Sequence, residues 1–424
     1  MRALLTAVAL GGQRSRWALL SWLVLLGCVV VAPLSTKVAG AAGLLLVLMG
    51  LGALCYRPVP GTAPGDSAAA RGWLLACVIG MSLSVLGVVI WHENWTELHA
   101  PARLLLTAGA TLAVVRRFAP STFTRDALAH ALTLACLVAL GVVLSQGASR
   151  DNYPTNAIPW AVSMAFLVCL LLPHTVDLSR PVRCRLVWLA GVAVGVLAVL
   201  LSQSRGAYGV LLWVLLFYGV MLWRRRRVTR LGLGMVLGFL ALPVAVLALL
   251  PHSVDQLTER MEKAADEYRQ TDVASEPGHG ANSSVGARIY LWKLAASSIA
   301  ESPLIGIGVT ERLRRIKAEG VRLNAPVLGA LGHVHNQYLQ SAMDHGVIGL
   351  AADLAWLIGL AVTAWRVARR DAMAGWQLCG LLFMHASGSL TNVNFAHNYY
   401  GAMLALCVAL VLLAARPRVD AAAV

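Results

Sequence analysis

Apolar residues in this chain fall in long runs separated by short polar connectors. A helix needs about 17–25 mostly apolar residues to cross a bilayer. By that ruler twelve runs read as spanning helices: those near 15–34, 38–56, 73–91, 101–115, 126–147, 154–173, 184–202, 206–223, 231–250, 338–364, 374–391 and 399–415. The fourth run is short, and Asn156 with Pro159 gives the sixth a place to break. The expected fold class is an all-α polytopic membrane protein with about twelve transmembrane helices. Helices one to nine occupy 1–250, a long loop domain occupies 251–337, and helices ten to twelve with a short tail occupy 338–424.

The long loop carries its own pattern. Residues 254–270 and 286–300 place apolar side chains at helical spacing, and 310–320 reads as a third short helix. Between them, 271–284 is rich in Gly, Ser and Asp, and 302–308 (SPLIGIG) is a Pro/Gly turn region. A loop with its own helices is usually functional. Such helices suit a cover over a cavity or a seat on the membrane surface, and the flexible 271–284 stretch suits a loop that moves to admit bulky substrates.

Composition agrees with the pattern. Of 424 residues, 58% are hydrophobic and 13% charged, about half the charge of a soluble domain. The mean hydropathy is +0.70. The first apolar run, starting near Trp17, reads as a membrane anchor rather than a cleavable signal. The eight cysteines form no CxxC pair and sit in apolar runs or beside their ends, as small buried residues do.

The net charge of +15 would suggest nucleic acid in a soluble protein, and its placement argues for topology instead. Basic residues cluster at Arg2, Arg14 and Arg16; Arg57 and Arg71; Arg116, Arg117 and Arg125; and Arg180, Arg183 and Arg185. They continue at Arg224 to Arg227 with Arg230; Arg366, Arg369 and Arg370; and Arg416 with Arg418. These are alternate connectors. The short connectors between them hold Lys37, Arg103, Arg150 and Arg205. Both termini are therefore expected in the cytoplasm, with 251–337 on the opposite face.

Three segments on that outer face carry candidate chemistry. LSQSRG at 201–206 puts Arg205 at a hairpin tip on the membrane boundary, where a guanidinium can fork onto phosphate or simply anchor to headgroups. Arg288 opens the second loop helix, where a cation opposes the helix dipole; a surface salt bridge is the plainer reading. LGHVHNQYLQSAMDHGVIGL at 331–350 brings His333, His335, Asn336, Gln337 and Tyr338 to the start of helix ten. A neutral imidazole there suits general base work, an interfacial polar cluster is the alternative, and no third and fourth ligand at metal spacing follows the His pair. Asp353 is the main acidic residue inside an apolar span, a place where charge is usually functional or paired between helices. Glu93 and Glu97 lie in the first larger outer loop, where a metal or acceptor role competes with a solvated face. Asn392, Asn394, His397 and Asn398 form a further polar outer loop able to line the same cavity. No Walker, HExxH, nucleophile-elbow or dinucleotide motif occurs.

Taken in order, SxSRG at a hairpin tip, R-x3-W-x9-SPLIGIG, and HNxYLQxxxxxGxxGL resemble the O-antigen ligase and polymerase superfamily over roughly 190–350. Length and the lack of a large C-terminal soluble domain look most like its ligases. Asp344 stands where relatives often carry Glu. The resemblance implies a GT-C-like, inverting, metal-independent glycosyltransferase with no cofactor. It implies a periplasmic active site on the inner membrane of a Gram-negative bacterium. The donor would be undecaprenyl diphosphate-linked O-antigen, and the acceptor lipid A–core. It maps the catalytic positions onto Arg205, Arg288 and His335, the arginines also binding substrate together with His333, Asn336, Gln337 and Tyr338. The rival readings are an O-antigen polymerase, a protein O-oligosaccharyltransferase using the same donor, and a transporter of the lipid-linked glycan that performs no chemistry. A transporter predicts paired halves with broken, ionisable spans, and no internal repeat is evident.

Overall fold

The computed structural model describes residues 13–57, 66–118, 123–146, 153–225, 251–271, 278 and 280–415. Its first helices are α1 (Gln13–Val31), α2 (Thr36–Leu54), α3 (Asp66–Trp91), α4 (His99–Val115), α5 (Arg125–Gln146), α6 (Ala157–Leu171), α7 (Val182–Leu201) and α8 (Gly209–Arg225). The long loop contributes α9 (Pro251–Gln270), α10 (Ser284–Glu301), α11 (Val309–Arg322) and the single turn α12 (Pro326–Gly329). The chain closes with α13 (Gln337–Ala368), α14 (Ala372–Ser389) and α15 (Asn398–Ala414). Among the described residues there is no strand, and nine helical segments are long and apolar enough to cross a membrane, with α15 a shorter apolar helix. The ninth expected span, 231–250, lies outside the described residues; each of the others is helical.

Helices are what such runs must form, because lipid offers backbone N–H and C=O groups no partner but each other. The two most uniformly apolar helices sit in the middle. Every residue of α6 except Ile158, and of α15 except Asn398, is buried, as expected of helices without a polar face. Peripheral helices turn Leu20, Leu75, Leu106, Leu212 and Ile358 outward. The sixth span does not break. Asn156 caps α6 by accepting from Ile158 N at 3.0 Å, and Pro159 lies in the first turn, where its missing N–H costs nothing.

The basic connectors gather at one end of the bundle. Arg117 donates to Tyr56 O (3.1 Å), Arg185 to Thr175 O (3.0 Å) and Arg125 to Ala414 O (3.0 Å). Arg125 also pairs with Asp371, and Arg180 with Asp126. At the other end Trp91 Nε1 donates to Ile305 O (2.7 Å), Glu93 accepts from Val309 N (2.7 Å), and Arg103 reaches Asn398. The alternation read from sequence is therefore a real separation of two ends.

The tenth span corrects the sequence reading. It is expected as one continuous helix over 338–364, but α13 is broken at Gly346, whose φ of 61° and ψ of −145° are not helical. The side chains of Gln337 and Ser341 lie close enough to Asp353 to act on its carboxyl group. In a straight helix at about 1.5 Å per residue, Gln337 and Asp353 would lie about 24 Å apart. The chain therefore doubles back, with 337–345 folded against 347–353. A Cβ on Gly349 would meet Ser341 O at 2.3 Å, as that fold requires. The second arm, 347–368, is still long enough to cross a bilayer.

The 302–308 turn locks this hairpin. Ile307 N donates to Met343 O, Gly308 N to Asp344 O and Val347 N to Pro303 O, each at 2.9 Å. Gly306 and Gly346 both have positive φ, and a Cβ on either would strike the other segment's backbone at 2.4 Å. The loop also has its own core, in which Tyr290, Leu291, Ile316, Leu328 and Val334 pack with Met343 of α13. Loop and hairpin thus fold as one unit.

Gly346→Ala places a side chain in the left-handed region and into the Leu304 backbone. It is expected to cost more than the about 1–3 kcal/mol of left-handed strain alone, read as a lowered thermal midpoint of the detergent-solubilised protein. Gly332→Ala, with nothing within 4 Å of the new Cβ, is the control and should leave the midpoint unchanged.

Candidate active site

His335 is placed by constraints on its neighbours. Trp292 Nε1, the Trp of the R-x3-W motif, donates to Val334 O at 2.9 Å. Val334 N donates to Gln340 Oε1 at 3.2 Å, and Arg312 donates to Gly332 O. With Val334 fully buried and both its backbone groups engaged, His335 takes a left-handed φ of 56°. Backbone strain of this kind persists only where the surroundings fix it. The next residue, Asn336, caps α13 by accepting from Tyr338 N and Leu339 N, both at 3.1 Å. Its carboxamide oxygen is committed to the helix, a role the sequence reading did not assign.

Arg288 lies close enough to depress the His335 pKa. Helix α10 starts at Ser284, capped by Ser283, whose Oγ accepts from Gly286 N at 2.9 Å. Arg288 is therefore in the second turn, one turn past the end, and the dipole opposition expected from sequence is weakened because that effect is confined to the first turn. Asn392 lies close enough to the His335 ring to act on it, and His397 lies beside both His335 and His333, its ring 6.2 Å from that of His333. The polar 392–398 loop thus joins the site as expected. Arg205 is half-buried in a 3-10 turn. Ser204 Oγ anchors that turn to Ala157 O (3.0 Å), and Gly206 sits so close to Thr391 that a Cβ would lie 2.3 Å from its hydroxyl. Gly206, next to Arg205, thus touches Thr391, which adjoins Asn392.

Gln337 and Tyr338, read as substrate ligands, have structural partners. Gln337 accepts from Phe395 N (3.2 Å) and donates to Ser341 Oγ (3.2 Å), while Tyr338 OH donates to Ala386 O (3.1 Å). They fix the first arm of the hairpin to the 392–398 loop and to α14.

The electrostatics favour neutral imidazoles. Burial, then the charge of Arg288, lowers His335 to about 4, against a smaller opposing effect of Asn392. Burial, then Arg312, lowers His333 to about 4. Nδ1 of each ring is buried with no hydrogen-bond partner. At neutral pH both rings are neutral and able to accept a proton, and His335 lies beside the Arg288 cation.

Arg312 is the residue the sequence reading missed. Nothing in TERLRRIKAEG distinguishes it from Arg314 and Arg315, which pair with Glu311 on the surface. Only the fold shows it buried, with Nε 2.7 Å from Asp344 Oδ1. Glu93 is likewise a clamp and not a solvated residue: it holds Val309 N and sits 2.9 Å from His345 Nε2. Among the described residues no group of three or more His, Cys, Asp or Glu side chains converges as metal ligands would.

Residues 190–353 match the family model described as O-antigen ligase. That segment contains Arg205, Arg288 and His335. No curated protein matches the chain.

The His335 ring should titrate near pH 4 by NMR of labelled histidine, and Arg288→Gln should raise that value, because removing a nearby positive charge relieves the penalty on the imidazolium. Arg312→Ala leaves Asp344 buried and unpaired and should cost about 3–5 kcal/mol, measured as equilibrium unfolding in mixed micelles.

Proposed function

We propose that this protein is an inverting, metal-independent glycosyltransferase that moves O-antigen from undecaprenyl diphosphate to a sugar hydroxyl of lipid A–core. The observation that carries the reading is a neutral, half-buried His335 held beside Arg288, within a segment that matches the O-antigen ligase family. The end of the bundle that carries these residues is the one poor in basic connectors, so the reading places it in the periplasm. There nucleotide sugars and ATP are lacking, and the donor must bring its own leaving group.

In the proposed step the acceptor oxygen attacks the anomeric carbon from the face opposite the diphosphate. The new carbon–oxygen bond forms as the bond to the diphosphate oxygen breaks, which inverts the centre. The electron pair leaves with the diphosphate, and the hydroxyl proton passes to the His335 imidazole. Arg288 and Arg205 meet the charge that develops on the leaving group. Guanidinium groups fork onto phosphate oxygens, and they are worth most where charge appears only in the transition state.

The test is reconstitution of purified protein with undecaprenyl diphosphate-linked glycan and lipid A–core, in EDTA and without ATP. Glycan on lipid A–core is the expected product. His335→Ala should lower the rate by about 10²–10⁴-fold, and Arg288→Ala should raise the barrier by about 3–4 kcal/mol. The rate of the wild type should hold from neutrality down to about pH 5 and fall below it as His335 protonates near 4. Elongation of the lipid-linked donor instead would make the protein a polymerase. Loss of activity in EDTA that Mg²⁺ restores would sink the metal-independent step.

A further inference from the structure

The 302–308 turn locks α13 through its main chain and its glycines, and two of its side chains take no part. Leu304 is 67% exposed and Ile305 41%, and neither belongs to the loop core or to the core of the bundle. Contiguous apolar side chains left at a surface mark a place that meets a partner.

The neighbours of the turn identify the chemistry of that partner. Val347, whose N–H is held by Pro303 O, heads an exposed stripe on the second arm of α13 that continues through Leu354, Ile358 and Trp365. These residues are about two, one and two helical turns apart, so they share one face. Trp91, whose Nε1 donates to Ile305 O, ends α3. Helix α3 packs along α13 and has its own exposed stripe, which ends in Leu86 and Val89. Both helices are long and apolar enough to span a bilayer, so both stripes are lipid-facing surface. The 303–305 turn sits where the two stripes end.

Two rulers give its depth. Along α13, Val347 to Trp365 is about 27 Å, and along α3, Arg71 to Trp91 is about 30 Å. The hydrocarbon layer is about 30 Å thick. Trp365, with the Arg369 guanidinium 5.1 Å from its ring centroid, belongs to the end with the basic connectors, as does Arg71. Val347 and Trp91 therefore fall at the opposite edge of the layer, and tryptophan at both edges is the usual interfacial belt. No charged residue lies within 302–308. Charge returns just outside it, where Glu301 pairs with Arg315 at 2.7 Å.

We propose that the 303–305 turn is a membrane seat, with Leu304 and Ile305 set into the edge of the hydrocarbon layer among the acyl chains of the leaflet at the loop-bearing end. Gly306 and Gly308 of the same turn hold the first arm of α13. The seat thus fixes the height of the loop, and of His335 at the start of that arm, over the lipid surface.

The test uses the full chain in nanodiscs of phosphatidylethanolamine and phosphatidylglycerol. A nitroxide is attached at 304 through p-acetylphenylalanine, which spares the eight native cysteines. Its relaxation by oxygen, which concentrates in lipid, is compared with that by a nickel chelate, which stays in water. Exposed Ile358 is the lipid reference and exposed Glu301 the water reference. The label at 304 should respond to oxygen over nickel, as at 358, with the order reversed at 301. Nickel dominating at 304 would place the turn in water and overturn the seat. Shielding from both reagents would mean that protein covers the turn, and would overturn it equally. Should the label lower the thermal midpoint, the unaltered chain is irradiated in nanodiscs whose phospholipids carry an acyl-chain diazirine. Adducts on 303–305 alongside those on 354–358 uphold the seat, and adducts on 354–358 alone overturn it.

Discussion

The reversal of α13 at Gly346 is the constraint on which the site depends. A helix cannot fold back without leaving helical φ/ψ, and inside an apolar bundle the freed backbone groups must find partners. The 302–308 turn supplies them through Ile307, Gly308 and Val347. Close approach of two backbones is possible only because Gly306 and Gly346 lack a Cβ. The spacing of SPLIGIG and GxxGL is therefore the imprint of one long-range contact, and neither motif has a reason to exist without the other.

From that contact the site follows in order. The first arm, running 337–345, starts at the level of Asp353, about 10 Å below the turn at 1.5 Å per residue. His335, just before it, is half-buried, and that burial with the charge of Arg288 keeps its imidazole neutral. Arg312 ties the loop to this arm through Asp344 and Gly332 O, and Trp292 ties it through Val334 O. Both come from the loop helices, so those helices do more than cover the site; they set the conformation of the residue that is proposed to carry the chemistry. The same reversal brings Gln337 and Ser341 to Asp353.

Polar residues in this fold divide by what they face. Glu93, Asp344 and Arg312 point at backbone and at one another, and their charges are consumed in holding the loop to α3 and α13. His333, His335 and Asp353 keep a buried atom unpartnered. Buried polar atoms are usually paired, and other exceptions, such as Thr124 Oγ1 and Trp188 Nε1, lie away from the loop.

Sequence alone determined the parts that depend on local composition. Runs of apolar residues must be helices in lipid, and the basic connectors separate the two ends. The three helices of the long loop and the three motif segments were also legible, because period and motif are properties of neighbours in the chain. Tertiary structure decided what depends on contacts between distant residues. A helical period runs unchanged through Gly346, since one residue's φ leaves no trace in hydropathy, and so the tenth span read as one rod. Arg312 and Arg314 are alike until the fold buries one and leaves the other at the surface. Asn336 reads as a polar site residue until its oxygen is seen capping α13. Asp353 reads as an isolated charge until the doubled-back helix brings the Gln337 and Ser341 side chains beside it.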